Sequence, residues 1–499
     1  MPRGAVKLII YHEFQVGKEL MLTQTRQKFI YVVGDFLSTA LAWFLFNIFR
    51  FIDIVEANSG WGSLKNFLLS PTILLGQLLF PLGMLMLYWL SGYYNRPFLK
   101  SRIEELVTTL TTALAGALII YFIAIVNDPI PDRLSNYVLL LMLAGILFAV
   151  VYTVRVILTT RTTRKIRSGE LRFNALIVGN RSRARVLLTR LRMPVNIASH
   201  AFNVVGFVDT DASHAKNADL PVIGLEDVES FCVANDVRAI VLATRSRESR
   251  ETLTLINRFL PLRIPVYLPL SAQDFVTAKP QLQRVAAEPL IDVTTPNIPD
   301  HTVNFKRAFD VVGASVALVL CMPLMLVLSA IIKCTSKGPV IFRQERIGLN
   351  GTPFRIYKFR SMVVDAEPAG PALAVPNDSR ITPIGRFMRK YRLDELPQFL
   401  NVIGGSMSLV GPRPEVRKYV ELYTEEQGRV LSVRPGITDY ASIEYVDENT
   451  ILGQAEDADK AYVEQILPDK ICYNMKYIEH RSVKEYFKII FLTIWSIVH

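Results

Sequence analysis

Cysteine is scarce and unpatterned: Cys232, Cys321, Cys334 and Cys472 are the only four in 499 residues, and no two have CxxC spacing. That argues against a zinc site and against a disulfide framework. A cleavable leader is missing too, because residues 1–28 are charged and the first apolar run is too long for a signal peptide core; it is expected to stay as an anchor. Acidic charge is in deficit, with 45 Asp and Glu against 56 Lys and Arg, for a net charge of +11. Apolar residues are abundant, at 51% of the chain, with a mean hydropathy of +0.28. Both figures exceed those of an ordinary soluble protein. Part of the chain is therefore expected to sit in lipid, with its basic excess facing an anionic bilayer surface rather than nucleic acid.

Four apolar runs crowd the first third, Phe29–Arg50, Thr72–Tyr94, Val107–Val126 and Tyr137–Leu158. Each approaches the ~20 residues that cross a bilayer, which predicts a four-helix transmembrane bundle over 29–160 after a cytosolic segment at 1–28. Basic residues gather before the first run (Arg3, Lys7, Lys18, Arg26, Lys28), between the second and third (Arg96, Lys100, Arg102) and after the fourth (Arg155, Arg161, Arg164, Lys165, Arg167). By the positive-inside rule both ends of the bundle face the cytoplasm. Asp35 inside the first run either marks a polar pathway or is solvated or paired within the bundle.

From Phe173 the pattern changes to short β-rich runs alternating with helical segments, which predicts a parallel, Rossmann-like α/β domain over 173–285. The dinucleotide fingerprint is missing. After the first strand the chain reads Gly179-Asn-Arg-Ser-Arg-Ala184, with Arg181 where a second glycine would admit a pyrophosphate. A degenerate domain without a nucleotide is the expectation. Asp209 ends the second strand as a ribose-binding acid would, or equally as a turn residue. The stretch 286–304, with Pro289, Pro296 and Pro299, reads as a linker.

Val311–Ile332 is long enough to span a bilayer, yet Lys306 and Arg307 precede it and Lys333 and Lys337 follow, so charge gives no exit side. Pro323 near its middle favours a kink. A broken helix that enters the cytoplasmic leaflet and returns fits both features. It also keeps the downstream motifs in the cytoplasm, with nucleotide substrates.

Those motifs are rich in groups that handle anions. Phe354-Arg-Ile-Tyr-Lys-Phe-Arg-Ser-Met362 reads as a strand presenting Lys358 and Arg360 on one side, or as a solvated edge. Asp394-Glu395, followed by Leu396-Pro397 and an apolar run, is expected to open a helix with Pro397 in its first turn. Asp394 is there either an N-cap or an ionised nucleophile toward phosphorus. Gly411-Pro-Arg-Pro-Glu415 is a rigid turn that limits the entropy Arg413 loses in clamping a phosphate, and Arg434-Pro-Gly-Ile-Thr438 repeats the device. Arg386, Arg389, Lys390 and Arg392 add positive potential or face lipid headgroups.

Together these residues resemble the bacterial sugar transferase family, the monotopic polyprenol-phosphate phosphoglycosyl transferases. The resemblance runs from about Lys306 to the C-terminus. It rests on the kinked apolar segment, Ser336-Lys-Gly-Pro339, Phe342-Arg-Gln-Glu345, Tyr357-Lys-Phe-Arg-Ser-Met362, Leu393-Asp-Glu-Leu-Pro-Gln398, Leu409-Val-Gly-Pro-Arg-Pro-Glu415 and Arg434-Pro-Gly-Ile-Thr438, in the family's order. The bundle and the degenerate Rossmann-like domain resemble the family's large members.

The resemblance implies a monotopic catalytic domain over 305–499, with a re-entrant helix at 311–332 and a mainly α cytosolic part, on the cytosolic face of a bacterial inner membrane. It implies transfer of a sugar 1-phosphate from a UDP-sugar to undecaprenyl phosphate, releasing UMP and starting polysaccharide synthesis on the lipid. It further implies Mg2+ held by Asp394, a covalent phosphosugar on Asp394 with Glu395 assisting, and substrate binding by Lys358, Arg360, Arg413, Glu415 and Arg434. Extensive membrane domains are compatible with a homodimer.

Two departures stand out. Asp439-Tyr440 follows Thr438 where many members have Gly then Leu or Trp, and Cys321-Met322 precedes Pro323 where a small polar residue is frequent. The rival reading is a catalytically idle scaffold for polysaccharide assembly, against which the intact Asp394, Glu395 and Arg413 argue. A nucleotide-sugar dehydratase or epimerase would need a glycine-rich loop and a Tyr-x-x-x-Lys pair, and the Rossmann-like region has neither: Tyr267 is followed four residues later by Ser271.

Overall fold

The computed structural model describes residues 3–52, 63–95, 97–98, 100–125, 133–210, 220–244, 250–259, 262, 264–269, 290–293, 299–363, 380–424, 427–444, 452 and 457–498. The chain divides into two compact units, Met1–Thr295 and Pro296–His499. Among the described residues, five helical segments are long and apolar enough to cross a membrane: Thr25–Arg50, Pro71–Leu90, Arg102–Ile123, Leu134–Ser168 and Asp300–Thr335. The chain is a membrane protein that also carries a sheet of mainly parallel strands.

In the first unit, α1 (Arg3–Arg50) is a single helix, so residues 3–28 of the predicted N-terminal segment are continuous with the first apolar run. A short α2 (Leu64–Leu68) is capped by the Ser63 hydroxyl, which accepts a hydrogen bond from the Asn66 amide. Next, α3 (Pro71–Leu90) opens with Pro71 in its first turn, where the missing N–H costs no helical hydrogen bond. It stops before Tyr94, because Gly92 takes φ +85°. Then α4 (Arg102–Ile120) is followed by a π-helical turn, Tyr121–Ile125. The last helix, α5 (Arg133–Ser168), outruns the predicted end at 160 and stops at Gly169, φ +86°.

The bundle core holds a polar network as well as aromatic and aliphatic packing. Asp35 on α1 and Arg155 on α5 are both fully buried. The Arg155 guanidinium donates from Nε to Asp35 Oδ1 at 2.8 Å and from Nη2 to Oδ2 at 2.7 Å. Its Nη1 donates to Thr109 Oγ1 at 2.9 Å, and the Tyr94 hydroxyl donates to Asp35 Oδ2 at 2.7 Å. Beside them Glu105 Oε1 accepts from Tyr93 and Thr159. Of the roles open to Asp35, the structure bears out pairing within the bundle. In lipid an unpaired carboxylate or guanidinium would be very costly, so each charge secures the helix that carries the other.

The same unit contains a six-stranded sheet of order β3-β2-β1-β4-β5-β6. Its strands are β1 (Phe173–Gly179), β2 (Phe202–Asp209), β3 (Val222–Ile223), β4 (Val237–Ala243), β5 (Val266–Pro269) and β6 (Leu290–Asp292). The first five are parallel and β6 runs antiparallel to β5. Leu176, Val178, Ile240 and Leu242 face α8 (Val228–Ala234) and α9 (Arg250–Phe259), while Ile177 and Val241 face α6 (Arg181–Leu191). A further short helix, α7 (Pro194–His200), leads into β2. Gly179 takes φ +142°, and a Cβ there would lie 2.6 Å from the Ala243 carbonyl oxygen.

The linker expectation for 286–304 needs correction. Leu290–Asp292 pairs with the open edge of β5, whose backbone groups would otherwise lack partners, and helix resumes at Asp300. Residues 286–289 and 294–298 lie outside the described residues.

In the second unit, α10 (Asp300–Thr335) runs as one element containing Pro323. Residues on both sides of that proline pack on the same strand. Ala314 clusters with Ile356, and Leu328 and Ile332 cluster with Phe359. Between them Val316, Val319, Leu320, Leu326 and Val327 are exposed. The hairpin β7 (Ile341–Ile347) and β8 (Pro353–Phe359) pairs Phe342 with Lys358. After it come α11 (Pro383–Lys390), α12 (Gln398–Gly404), β9 (Ser408–Val410), α13 (Arg417–Val420), β10 (Gly436–Thr438) and α14 (Tyr440–Glu444). The chain continues through α15 (Ala458–Ala461), a π-helical turn, α16 (Leu467–Glu479) and α17 (Val483–Val498). Buried Asn401 ties α12 to β8, accepting from the Tyr357 amide at 2.9 Å and donating to the Arg355 carbonyl at 2.8 Å.

Replacing Asp35 by Asn or Arg155 by Leu leaves the other charge buried and unpaired. Each single variant should lose about 3–5 kcal/mol, read as a lowered unfolding midpoint of the detergent-solubilised chain. An unchanged midpoint in both would show that the pair does not hold the bundle.

Candidate active site

Asp394 and Glu395 lie one step earlier than the sequence pattern suggests. The helix that follows them, α12, starts at Gln398, with Pro397 at its N-cap; the acidic pair sits in a preceding 3-10 turn, Leu393–Glu395. Arg392 reverses the chain at φ +53°, a left-handed conformation that costs a non-glycine residue about 1–3 kcal/mol and persists only where its surroundings impose it. Here the imposing contacts are Leu393 and Leu396, which pack into the cluster of Phe359, Met388, Leu328 and Ile332. The turn is anchored by its apolar residues.

Glu395 is the hub. Its Oε1 accepts from Lys358 Nζ on β8 at 3.0 Å and forms a second ion pair with Arg413. Burial alone would push this carboxyl up, but Arg413 and Lys358 override it and hold Glu395 well below the usual carboxylate range. Glu395 in turn holds Arg413 firmly protonated despite burial. Lys358 is lowered, first by burial and then by neighbouring Arg413, against the pull of Glu395.

Asp394 is different. Among the described residues its carboxylate makes no hydrogen bond or ion pair, though it is only 7% exposed. Burial raises its pKa; Lys358 opposes that, adjacent Glu395 adds to it, and Arg389 and Arg413 oppose it further. Two neighbouring acids thus sit in different states, one clamped and one unengaged.

Arg413 is held from behind. Gly411 and Gly436 approach so closely that a Cβ on Gly436 would lie 2.1 Å from the Gly411 nitrogen. The Gly411 amide donates to the Thr438 carbonyl, and the Gly436 amide to the Pro412 carbonyl. Buried Asp439 accepts from the Arg413 amide at 3.1 Å through Oδ2 and from the Ser442 amide at 2.7 Å through Oδ1. Asp439 thus uses its carboxylate to seat the arginine loop.

The other predicted residues divide. Arg360, two residues beyond Lys358, donates from Nη2 to the Ser336 carbonyl and hydroxyl, fastening the end of α10. Its Nε and Nη1 are buried without a hydrogen-bond partner among the described residues, as is Gln398 Nε2. These are donors available to a ligand oxygen. Glu415 is committed inward, accepting from the Tyr462 hydroxyl at 2.6 Å, with Arg346 Nη1 at 3.9 Å. Arg434 is not brought to the acidic pair: its Nε donates to the Gly405 carbonyl, at the far end of α12.

Sequence reading missed Arg346, Gln398, Asn401 and Tyr462. Arg346 was traceable, because it lies at the end of the Phe342-Arg-Gln-Glu345 run. The side-chain bond between Tyr462 and Glu415 spans 47 residues and had no local signal.

Comparisons with known proteins identify what the chain is similar to. Residues 301–499 match the family described as bacterial sugar transferase, and residues 90–269 match one described as CoA-binding domain. The chain is 32% identical over 299 residues to a UDP-glucose:undecaprenyl-phosphate glucose-1-phosphate transferase of Klebsiella pneumoniae, covering 59% of this chain and 62% of that protein. It is 37% identical over 239 residues to a UDP-N-acetylgalactosamine-undecaprenyl-phosphate N-acetylgalactosaminephosphotransferase of Aeromonas hydrophila, covering 47% and 52%. A UDP-glucose:undecaprenyl-phosphate glucose-1-phosphate transferase of Caulobacter vibrioides is 36% identical over 196 residues, 39% of this chain and 69% of that protein. The matched region thus spans about half to two thirds of the length of the relatives it resembles. With residues 301–499 matching that family and 36% identity over more than two thirds of the Caulobacter protein, the chain belongs to the bacterial sugar transferase family.

Proposed function

We propose that this chain transfers a sugar 1-phosphate from a UDP-sugar to undecaprenyl phosphate, at the cytosolic face of a bacterial inner membrane. The observation that carries this reading is the unengaged, nearly buried Asp394 carboxylate beside a Glu395 already neutralised by Lys358 and Arg413. Asp394 attacks the phosphorus that bears the sugar. The bond from that phosphorus to the bridging oxygen breaks, UMP leaves, and the sugar phosphate is held on Asp394 as an acyl phosphate. An oxygen of undecaprenyl phosphate then attacks the same phosphorus, the aspartyl bond breaks, and the carboxylate is restored with the lipid diphosphate-linked sugar as product. Lys358 and Arg413, fixed by Glu395, present cationic donors to the phosphates, and the open donors of Arg360 and Gln398 suit further oxygens.

The donor set also suits Mg2+. This ion binds through one or two carboxylates plus substrate phosphates rather than an all-protein cage, and no group of three His, Cys, Asp or Glu among the described residues forms such a cage. Asp394 would hold it, and it would neutralise phosphate charge. A re-entrant path for α10 is supported by the packing of Ala314 and of Leu328 and Ile332 on one strand, with the exposed apolar residues between them.

Asp394→Asn should cut UMP release by at least about a thousandfold, and a phosphosugar adduct should map to Asp394 in the wild type; normal turnover by the variant would overturn Asp394 as the nucleophile, and no UMP release by the wild type would favour the idle scaffold. Because the nucleophile must be ionised, kcat/KM should fall as pH drops through the Asp394 pKa, which lies above the ordinary aspartate value of about 3.9. Lys358→Met removes a cation that lowers this pKa, so the acid limb should move to higher pH; an unmoved limb would dissociate it from Asp394. Labels placed on both sides of Val311–Ile332 should report one membrane face, and opposite faces would restore a spanning helix.

A further inference from the structure

A cavity lined by several cationic side chains lies in the second unit, and neither Asp394 nor Glu395 lines it. It has a volume of about 90 Å³, room for several waters or one phosphate-sized anion, and it opens between the first turns of α10 and the start of α17. Lys306, Arg307, Arg434 and Arg481 line it against a single carboxylate, Asp310, an excess of three positive charges. Asp310 Oδ1 is already occupied, accepting from the Ser408 hydroxyl, the Leu409 amide and the Tyr486 hydroxyl. Arg481 has no such occupation: its Nε is buried without a hydrogen-bond partner among the described residues. Burial also lowers its pKa. Such a cluster of like charges is stabilised by an anion.

We propose that this cavity holds the phosphate of an anionic phospholipid. The surfaces leading away from it are lipid-like in their preference. Phe309 on α10 and Phe487 on α17 meet edge to face at 5.0 Å. Beyond them, exposed Val312 and Val316 continue along one helix and exposed Phe491, Ile494 and Trp495 along the other. A free anion would have no use for those walls. A zwitterionic headgroup would bring an ammonium to a site already three charges in excess. The cavity is not where the polyprenyl phosphate reacts. Arg307 donates to the Val402 and Ile403 carbonyls and Arg434 to that of Gly405, all at the C-terminal end of α12. The acidic pair precedes the other end, about 10 Å away along the helix, whereas an attacking oxygen must come within about 3–3.5 Å of its phosphorus. A bound lipid phosphate would instead brace the arginines that hold the far end of α12. This assignment stands independently of the role of Asp394.

The test is native mass spectrometry of the full chain in detergent, titrated with phosphatidylglycerol and with phosphatidylcholine. Wild type should retain one phosphatidylglycerol at least about tenfold more tightly than phosphatidylcholine, and Arg481→Gln should weaken that retention about tenfold, the effect of one charge-assisted hydrogen bond. Arg481→Lys keeps the charge and should retain most of the selectivity, which guards against a glutamine variant that merely fails to fold. Equal retention of both lipids by the wild type overturns the proposal, as does unchanged retention by folded Arg481→Gln. Displacement of the lipid by millimolar inorganic phosphate overturns it in favour of a free-anion site.

Discussion

The double ion pair at Glu395 is the constraint on which the catalytic unit depends. One carboxylate, nearly out of water, joins Lys358 from the β hairpin, the 3-10 turn that carries Asp394, and Arg413 from the loop between β9 and α13. Removing the carboxylate would leave two neighbouring cations largely buried and unpaired, so Glu395 ties the three segments together. What the arrangement achieves is asymmetry. Adjacent residues in a tight turn project in different directions, and here one projects into cations and the other does not.

The bundle solves a related problem in a harsher medium. Asp35 and Arg155 neutralise each other with two parallel hydrogen bonds, and Thr109 and Tyr94 take up remaining capacity, so no charge is left for lipid to solvate. In the bundle, saturation serves stability. In the catalytic unit, saturation of Glu395 makes the unsaturated state of Asp394 sustainable.

Much of this was legible in the residues. Apolar runs of bilayer length and the alternation of strands and helices after Phe173 needed only local pattern, and each has its counterpart in the helices and in the sheet. The Lys358, Asp394, Glu395 and Arg413 grouping was readable because those residues belong to short, dense motifs. The failures have physical causes. Leu290–Asp292 is too short to announce a strand and becomes one only because β5 offers an edge. The helix start slid past Pro397 because apolar anchoring of Leu393 and Leu396 favoured a tighter turn. Arg434 repeats the Pro-Gly setting of Arg413, yet a shared local device does not fix where a side chain points once β9 and β10 pair. Its destination is a helix end.

The contact between Gly411 and Gly436 has a consequence for how the chain can vary in length. Their backbones touch with no room for a side chain on either, and reciprocal hydrogen bonds close the junction. Mechanically the two motifs are one part, soldered at a point, and the residues between them form a closed excursion from that point. The entropy of closing such an excursion grows only slowly with its length. Insertions remote from the junction can therefore accumulate there with little effect on Arg413, whereas one methyl group at the junction would dislodge it.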